Sequence, residues 1–176
     1  SYQPKQIPVV KPDAAKIAEA VRMIAESKAP VMIMGGGCFI SECSGEAVKL
    51  AEMLQMPVIT TYQAKGGIPE DHPLNAGHCG IQVGQPIGNR VMLDSDLVLA
   101  IGNRFSDRHT GDIKTYCGDR KFIHINIDPK QIGMVFEPTL GIVSSAKLAI
   151  EALIKEVEKQ GLHPEASERV KKLPEL

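Results

Sequence analysis

Five consecutive apolar residues, Leu97-Val98-Leu99-Ala100-Ile101, end in Gly102 and are followed at once by Asn103-Arg104-Phe105-Ser106-Asp107-Arg108. A strand that is apolar at every position is buried on both faces, which is the habit of a parallel sheet covered by helices on each side. Open sheets of this kind bind ligands just beyond the carboxyl ends of their strands. The segment therefore reads as a buried strand that delivers two arginines, an aspartate and free backbone amides to such an edge.

The pattern recurs along the chain. Asp13 is a plausible N-cap for a helix whose apolar face is Ile17, Ala20, Val21 and Ile24. A second apolar run, Val31–Met34, ends in Gly35-Gly36-Gly37. Ser41 or Ser44 is expected to cap the next helix, with Ala47, Val48, Ala51 and Leu54 facing inward. Further strands are expected over 57–61, 122–127 and 141–143, and helices over 86–93, 129–135 and 146–159. Residues 62–84 read as a loop rich in Gly and Pro. Helix and strand alternate, so the expected fold is α/β: a three-layer, Rossmann-like, doubly wound sheet of five or six parallel strands.

Residues 13–160 form the body of that fold. The proline-rich segment 1–12 and the charged segment 161–176 read as linkers, the second leading to a further C-terminal domain. A first residue of Ser1 and two linker-like ends suggest a domain taken from a longer protein.

Composition narrows the function. A net charge of -1 gives no bulk attraction to nucleic acid or to an anionic membrane, so neither is expected as a partner. No apolar run approaches the roughly 20 residues of a membrane span. Cys38, Cys43, Cys79 and Cys117 form no CxxC pair and no metal-ligand spacing, as expected of reduced thiols in a cytoplasmic protein.

Three strand ends carry glycine or small polar residues: Gly35-Gly36-Gly37, Thr60-Thr61 and Gly102-Asn103-Arg104. Glycines let a phosphate or a ring approach the backbone, and a helix beginning near Ser41 would aim free amides at an anion. The alternative is a tight strand-to-helix turn with no ligand. Ile40 stands where GxGxxG needs its third glycine, so the common dinucleotide fingerprint is absent. Arg104 and Arg108 suit a diphosphate, with Asp107 orienting one of them; the plainer reading is a solvated salt-bridge cluster. At the end of 122–127, Asn126 or Asp128 is placed to bond ribose hydroxyls. His124 reads as a packed histidine. His78-Cys79 lacks a third orienting group, and no catalytic residue is assigned.

These segments together resemble the central domain of thiamine-diphosphate-dependent enzymes of the acetolactate synthase group. The resemblance runs through Ala29 to Gly37, Pro57 to Thr61, Lys65 to Leu74, Gly77 to Gly80, Ser95 to Gly111 and His124 to Gly133, and covers residues 7–160. Gly102-Asn103-Arg104, Arg108-His109-Thr110-Gly111 and Leu140-Gly141-Ile142-Val143-Ser144 look closest to the glyoxylate carboligase (tartronate-semialdehyde synthase) branch.

The resemblance implies a parent enzyme of three domains. Its N- and C-terminal domains bind thiamine diphosphate with magnesium between subunits of a homo-oligomer. It decarboxylates a 2-oxo acid such as glyoxylate or pyruvate and transfers the two-carbon unit, as a lyase and transferase. The motif that binds the diphosphate and magnesium is absent here, so the chain itself is expected to be inactive. In this domain FAD, or ADP instead, would run along Gly35, Gly36, Gly37, Thr60, Thr61, Gly102, Asn103, Arg104, Asp107 and Arg108, and finish at Asn126, Ile127, Ser145 and Ala146. The family's usual acids are replaced by Asn126 and Ser145, which weakens the expected grip by roughly 1–3 kcal/mol if charged acceptors gave way to neutral ones. Weak FAD binding, ADP binding and a purely structural domain all stay open, as does a stand-alone nucleotide-binding or subunit-scaffold module. An NAD-dependent deacylase of similar fold would usually show paired CxxC motifs, and none occur.

Overall fold

A computed structural model describes residues 9–81 and 85–173. Residues 1–8 and 174–176 of the two expected linkers, and residues 82–84 of the long loop, lie outside the described residues.

Six strands form one all-parallel sheet in the order β3-β2-β1-β4-β5-β6. They are β1 (Pro30–Met34), β2 (Val58–Thr60), β3 (Asn75–His78), β4 (Leu97–Ile101), β5 (Lys121–Asn126) and β6 (Leu140–Val143). The order reverses between β1 and β4, which is the switch point where such sheets open a crevice at their carboxyl ends.

Alternate residues of each strand feed two separate cores. Met32, Met34, Leu97, Leu99, Ile101, Ile123 and Ile125 face one side, beneath α1 (Ala14–Glu26), α3 (Ser44–Leu54) and α7 (Ala146–Gln160). Val31, Ile33, Val98, Ala100 and Phe122 face the other, beneath α4 (Pro86–Leu93), α5 (Asp107–Thr110) and α6 (Ile113–Cys117). The architecture is the expected three-layer α/β sheet.

Local chemistry explains the long helices. The Asp13 carboxylate accepts from the amides of Ala15 (2.8 Å) and Lys16 (3.2 Å), and Ile17, Ala20, Val21 and Ile24 are buried as their spacing requires. Ser145 caps α7, and Gly161 ends it in the left-handed conformation.

Several expectations are corrected. Neither Ser41 nor Ser44 is the N-cap of a helix: the chain turns helical already at Gly36, in α2 (Gly36–Ile40), which Ser41 closes at its carboxyl end, and Ser44 is the first residue of α3. The loop 62–84 contains the edge strand β3. Residues 129–135 hold only a 3-10 turn, Pro129–Gln131, because Ile132 is extended and Gly133 has φ 77°. The described part of 161–176, expected as a linker, lies against the body. Its helix α8 (Glu168–Lys171) buries Val170, and Leu173 is buried beyond it. Arg169 donates to the carbonyls of Ala29 and Val91.

Candidate functional site

At the switch point glycine packs on glycine. The Gly35 amide donates to Ile101 O (2.8 Å) and the Gly37 amide to Gly102 O (3.1 Å). A Cβ on Gly35 would overlap the Gly102 carbonyl, and one on Gly37 would lie 2.7 Å from Gly102 Cα. Gly102 itself has φ 64°. Gly35, Gly37 and Gly102 are therefore required by the close approach of two strand ends. Gly36 faces the side chain of Gln63.

Three residues knot β4 to β5. The Asn103 carbonyl accepts from His124 Nε2–H and from Asn126 Nδ2, both at 2.8 Å. Asn126 Oδ1 accepts from the Asp128 amide at 3.0 Å, and Asp128 in turn accepts from the Lys130 amide. Asn103 Oδ1 accepts from the Phe105 amide at 2.9 Å. Asn103 is only 4% exposed, yet its Nδ2 has no partner within the described residues. A buried amide donor without a partner costs about 1–3 kcal/mol, so it is a donor held ready.

Phe105, with φ 52°, turns the chain so that its ring goes inward while Arg104, Asp107 and Arg108 stay exposed. Its ring lies 4.7 Å from those of His124 and Phe136, 6.0 Å from Phe122 and 6.1 Å from Tyr116. Among the described residues neither Arg104 nor Arg108 has an ion pair or a side-chain hydrogen bond. Asp107 does not orient either arginine as expected; its Oδ1 accepts from the Arg108 amide at 2.9 Å. Both guanidinium groups are exposed and unpaired among the described residues.

The other expected residues are placed less directly. Thr60 is buried and its hydroxyl is hydrogen-bonded to His78 Nδ1 at 3.0 Å. Thr61 is half-buried, and its amide donates to Met34 O. Ile127 is exposed beside Asn126. Ser145 Oγ accepts from the Leu148 amide, its own amide donates to Val10 O, and Ala146 is buried. Thus Gly35, Gly37, Gly102, Asn103 and Asn126 meet directly, with Arg104 and Arg108 beside them. Asn126 and Ser145 already hold bonds within the chain.

Cys79 does find a histidine, though from another element. Its Sγ lies 3.6 Å from His109 Nε2, which is also 2.8 Å from Tyr116 Oη. Burial pushes the thiol up to about 12 and His109 down to about 4, so the pair stays neutral. A neutral thiol beside a neutral imidazole is no activated nucleophile.

Two features escaped the sequence reading. One is the Asn103 amide, whose isolation depends on contacts across the sheet. The other is an apolar rim: Phe39, Ile40, Tyr62, Ile81 and Ile127 are all exposed and all follow the carboxyl ends of β1, β2, β3 or β5. Large apolar residues just after glycine-rich strand ends were its only sequence signal.

The sequence matches the family described as "Thiamine pyrophosphate enzyme, central domain" over residues 17–153. The chain belongs to that family. It is 43% identical over 168 residues to a glyoxylate carboligase of Escherichia coli O157:H7, covering 93% of this chain and 28% of that protein. It is 42% identical over 143 residues to a probable acetolactate synthase large subunit of Methanococcus aeolicus, covering 81% of this chain and 24% of that protein. An acetolactate synthase large subunit of Corynebacterium glutamicum is 39% identical over 148 residues, covering 84% and 24% respectively. This central domain thus spans about a quarter of the length of the curated relatives it matches. Among its described residues no cluster of three or more His, Cys, Asp or Glu could hold a metal ion, and no helix is long and apolar enough to cross a membrane.

Proposed function

We propose that the chain is the nucleotide-holding central domain of a cytoplasmic thiamine-diphosphate-dependent carboligase. Its parent would decarboxylate a 2-oxo acid such as glyoxylate or pyruvate and join the two-carbon unit to an acceptor. The thiamine ring would supply the carbanion chemistry, from neighbouring domains of the same polypeptide in a homo-oligomer. The chain alone is proposed to be inactive. The apolar rim around the crevice fits burial by those neighbouring domains.

One observation carries the nucleotide reading. The buried Asn103 Nδ2, without a partner among the described residues, lies next in sequence to Arg104, at the switch point, and Arg104 and Arg108 have no ion pair among those residues. Those donors fit the diphosphate of FAD or ADP. The adenosine end fits less well, because Asn126 is tied to Asn103 and Asp128 and Ser145 to its helix. Weak binding of FAD or ADP follows.

Calorimetric titration with FAD and with ADP tests this. Heat of binding for at least one is expected, with affinity falling at least about tenfold in Arg104→Ala/Arg108→Ala, on the scale of charged hydrogen bonds. Binding of neither ligand, or affinity indifferent to both substitutions, would reject the nucleotide site and leave a structural spacer.

A further inference from the structure

The end of α2 brings two thiols together. The Cys43 amide donates to Cys38 O at 3.1 Å, and the Glu42 amide donates to Phe39 O at 3.0 Å. Glu42 sits in the left-handed region with φ 50°. These two bonds and that conformation define a Schellman motif, with Cys38 three residues inside the helix end and Cys43 just past the left-handed residue. The motif presses the side chains at those two positions against each other, which is normally a hydrophobic contact. Here both are cysteines, both fully buried and both reduced. Cys43 Sγ lies 3.4 Å from Cys38 O, and Cys38 Sγ lies 3.5 Å from Ile101 O.

We propose that Cys38 and Cys43 are a redox-modification site: on exposure to a low-molecular-weight disulfide they close an intramolecular disulfide across this turn. The chain separation suits the bond, because a carbonyl hydrogen-bonded to the amide five residues on holds the two Cα atoms near disulfide reach. The pair also has a direction. Hydrogen bonding from the Cys38 side chain lowers Cys43, with Lys147 adding to the effect against burial and Glu46, while the same contact raises Cys38. Cys43 is therefore the attacking thiolate.

The steps balance. The Cys43 thiolate attacks one sulfur of the oxidant disulfide, forms a mixed disulfide and expels the first thiolate. Cys38 then loses its proton, attacks the Cys43 sulfur and expels the second. Two protein thiols become one disulfide, and the oxidant takes two electrons and two protons as two thiols. Access comes from the turn itself. Both thiols are buried, so the oxidant reaches them when this turn opens; its left-handed residue is a glutamate rather than a glycine, and α2 is five residues long with Phe39 and Ile40 exposed.

The test uses the chain incubated with glutathione disulfide, then denatured and alkylated without reductant. The peptide carrying Cys38 and Cys43 is expected to lose two hydrogen masses and resist alkylation at both positions, with both effects reversed by reductant. In Cys38→Ser the resolving thiol is gone, so Cys43 is expected to keep one glutathione. In Cys43→Ser no such adduct forms at Cys38. Full alkylation of both cysteines in the treated wild-type chain, or a glutathione adduct on Cys38 in Cys43→Ser equal to that on Cys43 in Cys38→Ser, would overturn the proposal.

Discussion

On one side of the sheet α1, α3 and α7, of 13, 11 and 15 residues, press Ile17, Leu50, Ile150 and Leu153 onto aliphatic strand residues. On the other side α4, α5 and α6, of 8, 4 and 5 residues, lie over a core built around Phe105, Tyr116 and Phe122. Helices of three turns or more each commit a stripe of side chains to the core, and their stability comes from that stripe. Helices of one turn are far below the length at which helix is stable by itself. They persist because aromatic rings hold them from beneath. The arginines of the candidate site project from this second, less regular layer, while the first layer supplies the rigid support.

The comparison is broken most directly by removing one anchor from each side. Phe105→Ala is expected to cost about 3–5 kcal/mol and Leu153→Ala about 2–5 kcal/mol in denaturant unfolding. Hydrogen exchange separates them. Phe105→Ala should release the amides of residues 103–118 first, since its ring touches His109, Tyr116, Phe122, His124 and Phe136. Leu153→Ala should lower protection throughout without singling out that segment. If Phe105→Ala loosens α7 as much as 103–118, the two layers are one cooperative unit.

The same division governs what could be read from the sequence. α1 and α7 were legible because their apolar positions repeat over three turns or more, and Asp13 also marks the start of α1. β1, β2, β4 and β6 were legible because each is a short apolar run followed by glycine or a small polar residue, and β5 by its apolar run alone; β3, Asn75–His78, has no such run and read as loop. α5 and α6 were not, since four or five residues show no period, and their positions depend on Phe105 turning inward at φ 52°. The candidate site was legible as a set of strand ends. Its inner logic was not: the glycines turned out to pack on each other, and Asn126 to brace Asn103, because such roles depend on which loops meet across the sheet. Asp96 teaches the same lesson. Burial works against its charge, but the Ser27 hydroxyl and the Lys28 and Ala29 amides hold its carboxyl below the ordinary range. The pair Asp94 and Asp96 sits at the amino end of β4, and Asp96 serves structure there.

Acid should attack the aromatic side selectively. Burial lowers His109 to about 4, and it lowers His124 as well, against the hydrogen bond to Asn103. Both lie on that side of the sheet. A histidine whose folded value is depressed favours the folded state while neutral, so this stability is complete above the unfolded value near 6.5. As pH falls from there toward 4 the unfolded chain takes up protons that the folded chain refuses, and up to about 3 kcal/mol is lost through His109. Denaturant midpoints at pH 7 and pH 5 measure the loss, and His109→Gln should remove much of the difference. Equal midpoints at the two pH values in the wild-type chain would show that His109 is solvated enough to titrate normally.

The smallest expected effect lies in how helices on the two sides are stopped. α3 ends on Gln55, a non-glycine residue with φ 46° and ψ 43°, whose amide donates to Glu52 O while the Met56 amide donates to Ala51 O. α5 and α6 end on Gly111 and Gly118, with ψ -131° and -137° at positive φ, a region open essentially to glycine alone. The buried stripe of α3 supports a side chain in the left-handed position, whereas the backbone at the ends of α5 and α6 lies where essentially only glycine goes. Gln55→Gly should therefore stabilise the chain, though by no more than about 1 kcal/mol, because relief of left-handed strain is offset by loss of the Gln55 Nε2 bond to Glu52 O and by added backbone freedom in the unfolded chain. Gly118→Ala should move the other way by about 1–3 kcal/mol. Thermal unfolding of the two variants decides the point: a gain for the first and a loss for the second support a division between self-supporting and supported helices. A loss in Gln55→Gly would mean that the side-chain bond to Glu52, rather than the buried stripe, holds the end of α3.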